Sequence, residues 1–323
     1  MIYTDDNYIK NIIYKRNPEA HKGNFGKVLI FAGSVGMAGA AVFCARAALK
    51  SGAGLVQFLL PDFNTSLLSV LQTSVPEATC VDFSKGIDIS GYTSVVAGCG
   101  LGCDIPLTDH SAADSGPGCD IPPTETGAAS TEGYSEAAAG AAGCAKPASK
   151  FSILEYIIDN YTRTLVLDAD ALNMISASPG LAEKVRNSKA RIIITPHIGE
   201  ARRLLHTCDS ISGPEARIRA ACELAEKYNC ISILKGAGTL VTEHPEIYKN
   251  TTGNPGMATG GSGDALAGLI GSLAAQGYSP LDAARAGVFI HGKAGDLAAQ
   301  ELGEMGMTAS DIVCYIPYAL KMY

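Results

Sequence analysis

The stretch Gly253-Asn254-Pro255-Gly256-Met257-Ala258-Thr259-Gly260-Gly261-Ser262-Gly263-Asp264 runs straight into an apolar-periodic segment, Ala265 to Ala275. A glycine-rich turn entering a helix lets successive N–H groups converge on one point, and the unpaired N–H groups of the first helical turn add partial positive charge there. The stretch therefore predicts an anion-binding turn built by Gly260, Gly261, Ser262 and Gly263, with Asp264 beside the bound phosphate. An acid in that place reads in two ways. Aspartate is a favoured helix cap and complements the helix dipole. A carboxylate next to phosphate is also unfavourable unless a metal, a lysine or a proton transfer compensates, which makes it a base. Capping alone needs no such density of glycine, so the base is the reading adopted.

Outward from this turn, short β-type runs alternate with helical patterns. Lys27 to Phe31 precedes the helical Ala40 to Lys50, and Leu55 to Leu60 follows. Ser94 to Ala97, Thr164 to Leu167, Arg191 to Thr195 and Ile231 to Leu234 are further buried-strand candidates. Continuous apolar runs separated by helices predict an α/β fold with a mostly parallel central sheet and helices on both faces. Ligands in such sheets bind beyond the carboxyl ends of the strands. The loops Gly33 to Gly39, Gly98 to Gly102, Asp168 to Asn173, Pro196 to Glu200 and Lys235 to Thr239 are where chemistry is expected.

Composition bounds the function. The chain has 323 residues, 47% hydrophobic, enough for a sizeable core, and is read as one domain over 1–323. A net charge of −7 and no basic run denser than Arg202-Arg203 argue against a nucleic-acid surface. Met1 to Ala20 lacks an apolar core of signal-peptide length and no run could span a bilayer, so a cytoplasmic enzyme without membrane contact is expected. The ten cysteines are scattered without a CxxC pair, which indicates neither a zinc knuckle nor a redox dithiol.

Residues 103–148 depart from the pattern, being rich in Ala, Gly, Ser, Thr, Pro and acids. Gly102-Cys103-Asp104-Ile105-Pro106 recurs there as Gly118-Cys119-Asp120-Ile121-Pro122. This segment is read as a flexible low-complexity insertion without a catalytic role.

Seven motifs in order carry a family resemblance: His21-Lys22-Gly23-Asn24-Phe25-Gly26; Ala32-Gly33-Ser34 through Gly39-Ala40; Ser51-Gly52-Ala53-Gly54-Leu55-Val56; Asp168-Ala169-Asp170-Ala171-Leu172-Asn173; Thr195-Pro196-His197-Ile198-Gly199-Glu200; Leu234-Lys235-Gly236-Ala237-Gly238-Thr239; and the glycine turn above. With them the chain resembles the ADP/ATP-dependent NAD(P)H-hydrate dehydratases of the ribokinase-like superfamily. The resemblance implies a three-layer α/β/α fold and repair of hydrated NADH or NADPH, whose ring hydroxyl attacks the terminal phosphate of ADP or ATP before phosphate is eliminated. Asp264 then matches the position that deprotonates the hydroxyl and touches the hydrated dinucleotide, with Ala40, Gly100 and His197 as further dinucleotide contacts. Lys235, Gly236, Ala237, Gly238 and Thr239, with Asn254 and Gly260 to Gly263, match the nucleotide side. ADP, favoured over ATP, serves as co-substrate with Mg2+.

Bottom-up, several of these residues have plainer readings. His197 is expected to bind rather than to act as an acid. Lys235 ends an apolar strand, so it either meets a phosphate or emerges into solvent. Asp168 and Asp170 could hold magnesium or cap a helix, and no residue is assigned as a metal ligand. His291, within the helical Ala283 to Leu297, reads as packing, and the alanines of that segment permit close helix contacts within or between subunits. The family also implies a homo-oligomer, a tetramer. An amino-terminal epimerase domain fused in many relatives has no counterpart here, which implies action on the S epimer alone. Two alternatives stay open: a superfamily kinase for a vitamin precursor, and a catalytically silent nucleotide-binding module.

Overall fold

Strands covered by helices on both sides must be apolar on both sides, and the uninterrupted apolar runs of this chain form such strands. The computed structural model describes residues 1–63, 65–102 and 148–323. Its strands are β1 (Ile2–Thr4), β2 (Lys27–Phe31), β3 (Leu55–Leu60), β4 (Thr79–Asp82), β5 (Ser94–Ala97), β6 (Thr164–Leu167), β7 (Arg191–Ile194), β8 (Ile231–Leu234), β9 (Leu240–Glu243) and β10 (Glu246–Asn250). The helices are α1 (Asp6–Ile12), α2 (Ala38–Lys50), α3 (Ser66–Ser74), α4 (Lys150–Asn160), α5 (Asp170–Ala177), α6 (Pro179–Arg186), α7 (Ile198–Leu205), α8 (Pro214–Tyr228), α9 (Ser262–Ala275), α10 (Pro280–Leu302) and α11 (Ala309–Leu320).

The strands form one sheet in the order β1-β10-β9-β8-β7-β6-β5-β2-β3-β4. Pairing is parallel from β4 through β8, antiparallel at β8–β9 and β9–β10, and parallel again at β1–β10. Register aligns the faces. Leu29, Val95, Leu165 and Ile192 lie side by side on one face, and Ile30, Val96, Val166 and Ile193 on the other. The first face packs on Ile153 and Ile157 of α4, Leu172 of α5, Leu181 of α6, Leu204 of α7 and Leu224 of α8. The second packs on Ala41 and Ala45 of α2, Leu71 of α3 and Leu266 and Ile270 of α9. A third cluster joins α1, α9, α10 and α11 outside that layer. The expected three-layer α/β/α architecture is therefore the observed one.

Helix α9 carries the glycine turn, and its seat is set by backbone contact. A Cβ on Gly268 would stand 2.0 Å from the Cys44 carbonyl oxygen of α2, so only glycine lets these two helices close. On the sheet side, the Ser94 hydroxyl donates to the Gly271 carbonyl at 2.6 Å.

Four strands lie outside the sequence expectation: β1, β4, β9 and β10. β1 and β4 are the sheet's two edges, short and only partly covered, so their polar residues carry no buried-strand signal. Thr195, expected to end β7, lies beyond it while its N–H still donates to the Leu167 carbonyl. Ala283, Ala294 and Ala298 are fully buried inside this chain, which settles the helix contact they permit as one within the subunit. The insertion reading of 103–148 falls on residues outside those described, except Ala148, which is half-buried against the first core cluster.

Candidate active site

The carboxyl ends of β2, β5, β6, β7 and β8 meet the start of α9. Main-chain bonds lace the loops together: Gly33 N–H donates to Cys99 O at 2.8 Å, Asp170 N–H to Gly98 O at 3.3 Å, and Lys235 N–H to Pro196 O at 2.9 Å. Asp168 follows β6 directly and is buried, 1% exposed. Lys235 follows β8, and its Nζ lies 2.8 Å from Asp168 Oδ1 and 3.9 Å from Glu200 Oε2. Lys235 thus neither emerges into solvent nor waits unpaired for a phosphate. Burial works against its ammonium, but Asp168 and Glu200 override it and hold the pKa above the ordinary value.

Asp264 is the third residue of α9. The helix N-cap is Gly261, in the left-handed region at φ +91° with no side-chain cap, so Asp264 is not the capping residue. It instead faces the cluster. One ligand atom each of Cys99, Asp168 and Asp264 lie within 4.8 Å of one another. Burial first, and the charge of Asp168 second, push the Asp264 pKa from 3.8 up to about 6, against the pull of the Cys99 thiol and of Lys235. A carboxyl in that range accepts a proton near neutrality and can release it again. The Cys99 thiol bonds to Cys44 and is buried among acids, so its pKa rises well above the usual range and it stays a thiol.

Gly263 abuts the same group, since a Cβ there would stand 3.2 Å from Lys235 Nζ. The first turn of α9, which adjoins this space, offers N–H groups that have no helical acceptor. Among the expected donors, Ser262 N–H bonds to Thr259 O at 3.3 Å in this structure. Beneath the turn, the Ser262 hydroxyl lies 3.5 Å from Nε2 of His291. Burial lowers the pKa of His291 to about 4, so it supports the turn as a neutral ring.

His197 caps α7. Its Nδ1 accepts N–H bonds from Gly199 at 2.9 Å and Glu200 at 3.3 Å, while Glu200 Oε2 accepts the His197 N–H at 2.8 Å. Burial, then Lys235 and Arg203, keep its pKa low, and its Nε2 lies 3.4 Å from Glu200 Oε1 on a ring that is about half exposed. Glu200 is the functional neighbour missed in sequence; its signal was the reciprocal cap spacing of His197 and Glu200. Asp170 is the first residue of α5 and accepts the Gly102 N–H at 2.7 Å, which ties the β5 loop to the β6 loop.

Ala40 and Gly100 are brought together: a Cβ on Gly100 would stand 2.6 Å from that of Ala40. Beside them opens a cleft of about 610 Å³ lined by Gly33, Ser34, Met37, Leu101, Gly102 and Lys150, among others. On the other side, the loop 235–239 turns from β8 into β9, where Thr239 Oγ1 donates to Gly236 O at 2.9 Å. Asn254 caps the short 3-10 turn Pro255–Met257. Its Nδ2 donates to Asp296 Oδ1 at 2.9 Å and its Oδ1 accepts the Gly256 N–H at 3.0 Å, so its polar atoms shape the loop.

For a hard dication the donor set is partial. Asp168 keeps Oδ2 clear of Lys235, whereas a protonated thiol is no ligand for magnesium. Such an ion fits here in company with nucleotide phosphates rather than in a protein cage.

Comparison with known proteins agrees with this geometry. A family model described as NAD(P)H-hydrate dehydratase matches residues 28–111 and 136–318. The bifunctional NAD(P)H-hydrate repair enzyme of Coxiella burnetii is 36% identical over 307 residues, covering 93% of this chain and 51% of that one. The chain spans about half the length of the bifunctional relatives it matches. The ADP-dependent (S)-NAD(P)H-hydrate dehydratase of Neisseria meningitidis is 34% identical over 309 residues, 94% of this chain and 87% of that one. Among solved structures, the ADP/ATP-dependent NAD(P)H-hydrate dehydratase of Bacillus subtilis, co-crystallised with ATP and Mg2+, superposes with a TM-score of 0.73 at 21% identity, covering 99% and 98% of the two chains. A ribokinase-like superfamily protein of Enterococcus faecalis gives 0.71 at 24%, covering 100% and 96%. These two likenesses show the ribokinase-like fold. Matched by the family model over most of its length and by the Neisseria protein nearly end to end, with the glycine turn and its acid in place, the chain belongs to the NAD(P)H-hydrate dehydratase family.

Proposed function

We propose that this chain dehydrates the S epimer of hydrated NADH or NADPH at the expense of ADP, with ATP as the other candidate donor. The observation that carries the reading is Asp264: a carboxyl pushed up to about 6, in the first turn of the helix that follows the glycine turn. The ring hydroxyl, held on the Ala40 and Gly100 side, gives its proton to Asp264 as its oxygen bonds to the terminal phosphorus. The bond to the nucleotide's bridging oxygen breaks and AMP leaves, or ADP when ATP is the donor. Loss of the new phosphate ester, assisted by the ring nitrogen, and of a proton from the neighbouring carbon restores the dihydronicotinamide.

The remaining residues take supporting roles. N–H groups at Gly260, Gly261 and Gly263 bind the transferring phosphate, and Lys235, Gly236, Ala237, Gly238 and Thr239 hold the nucleotide. The exposed part of the His197 ring contacts the dinucleotide. Mg2+, when bound, neutralises phosphate charge, and Asp168 Oδ2 is the protein atom suited to hold it. Lys235 keeps Asp168 paired and lowers the penalty of burying three acids near phosphate. A homotetramer in the cytoplasm accompanies this reading. No described helix is long and apolar enough to cross a membrane, and sedimentation would test the assembly.

Mixing the protein with hydrated NADH and ADP tests the activity. The near-ultraviolet absorbance of reduced nicotinamide rises and AMP accumulates in step. Neither a kinase for a vitamin precursor nor a silent binding module gives that rise.

A further inference from the structure

The loop 235–239 is flanked by two cations that the scheme above leaves without a task. On one side the Arg217 guanidinium of α8 lies over Gly236, where a Cβ would stand 3.1 Å from Nη2. Its Nη1 donates to the Ala237 carbonyl at 2.5 Å. On the other side Lys249 of β10 packs on Gly238, where a Cβ would stand 2.7 Å from Cε. The two glycines leave room for these side chains to grip the loop.

Arg217 is incompletely satisfied. Its Nε and Nη2 are buried without an acceptor among the described residues. Burial lowers its pKa and no carboxylate counters it. Leaving buried donors of a charged fork unmet is costly, and an apolar side chain would fill the space without that cost. Such an arrangement is complete only when an acceptor arrives. In a chain of net charge −7, an anionic ligand needs local cations of this kind.

We propose that Arg217 is the positioning residue of the nucleotide loop. Through the Ala237 carbonyl it fixes the direction of the Gly236 to Gly238 amides, and its two spare donors complete the anionic side of the site when an adenine nucleotide seats. The inference rests on the adenine-nucleotide reading given above.

Calorimetric titration of the full chain with ADP tests it, alongside steady-state kinetics. Arg217→Met weakens ADP binding about tenfold or more while the KM for hydrated NADH stays within about twofold. Arg217→Lys keeps a donor for Ala237 and recovers most of the affinity. If the Met variant does not fold, Arg217→Gln carries the same comparison. Wild-type ADP affinity in Arg217→Met overturns the proposal, as would an equal loss for both substrates or no recovery in Arg217→Lys. ADP binding requires no turnover. A wild-type chain that binds ADP without dehydrating hydrated NADH therefore removes the proposed activity and leaves this test intact, whereas a wild-type chain blind to ADP overturns both.

Discussion

Replacing Asp264 by asparagine separates catalysis from stability, because the same burial that makes this carboxyl a base also makes it costly to ionise. As a base it contributes on the order of 10²- to 10⁴-fold in rate, equivalent to roughly 3–5 kcal/mol of transition-state stabilisation. Asp264→Asn therefore cuts kcat by that factor while ADP binding is kept. The stability effect has the opposite sign. The folded-state pKa is raised from 3.8 to about 6, so wild-type stability falls as pH rises through that window and stays lower above it. A shift of that size corresponds to at most about 3 kcal/mol, and residual solvent contact reduces it to about 1–2 kcal/mol. At pH 7.5 the Asn variant should then melt above the wild type, with the difference vanishing below pH 3.8. In the wild type, kcat/KM should fall about tenfold per pH unit below pH 6. An acidic limb inflecting near pH 4, or a variant retaining more than about a tenth of the wild-type kcat, would refute the assignment.

Three further outcomes follow from the same geometry. Lys235→Met leaves the Asp168 carboxylate buried without its cation and should cost about 3–5 kcal/mol by chemical denaturation, most of it recovered in the Lys235→Met/Asp168→Asn double variant; additive losses in the cycle would contradict the pairing. His197→Ala removes the α7 cap and should cost about 1 kcal/mol, whereas His197→Asn preserves it. Both should raise KM for the hydrated dinucleotide, and an unchanged KM would leave His197 a cap only. Gly268→Ala drives a methyl into the Cys44 carbonyl and should cost about 3 kcal/mol or abolish folding, which urea titration reads directly.

Sequence pattern exposed the middle of the fold and blurred its edges. The bounds expected for β2, β3, β5, β6 and β8 match the observed ones because burial on two faces forces mostly apolar runs. β9 and β10 mix polar and apolar residues as an antiparallel pair, and β1 is three residues that pair with β10 from Ile2 to Tyr248, far apart in the chain. Nothing local marks such a contact. The same holds at the site. The glycine turn and Asp264 are contiguous and could be read together, but the ion pair joins residues 67 positions apart, and only folding reveals that Lys235 meets Asp168. Cys99 is one of ten scattered cysteines in the sequence; its place between two aspartates arises where the β5 and β6 loops meet, tied by the Gly102 to Asp170 bond. Asn254 lies in the same loop as the turn, and its bond to Asp296, 42 positions away, has no local mark in the sequence.

The seating of α9 main chain on the Cys44 carbonyl of α2 has an evolutionary and engineering corollary. A floor made of peptide groups has no side chains to trade, so under the proposed function substrate preference drifts through the side chains of the cleft instead, a wall that includes Ser34, Met37 and Lys150. Randomising that wall should yield variants with new acceptors, while randomising the floor should yield mostly unfolded chains.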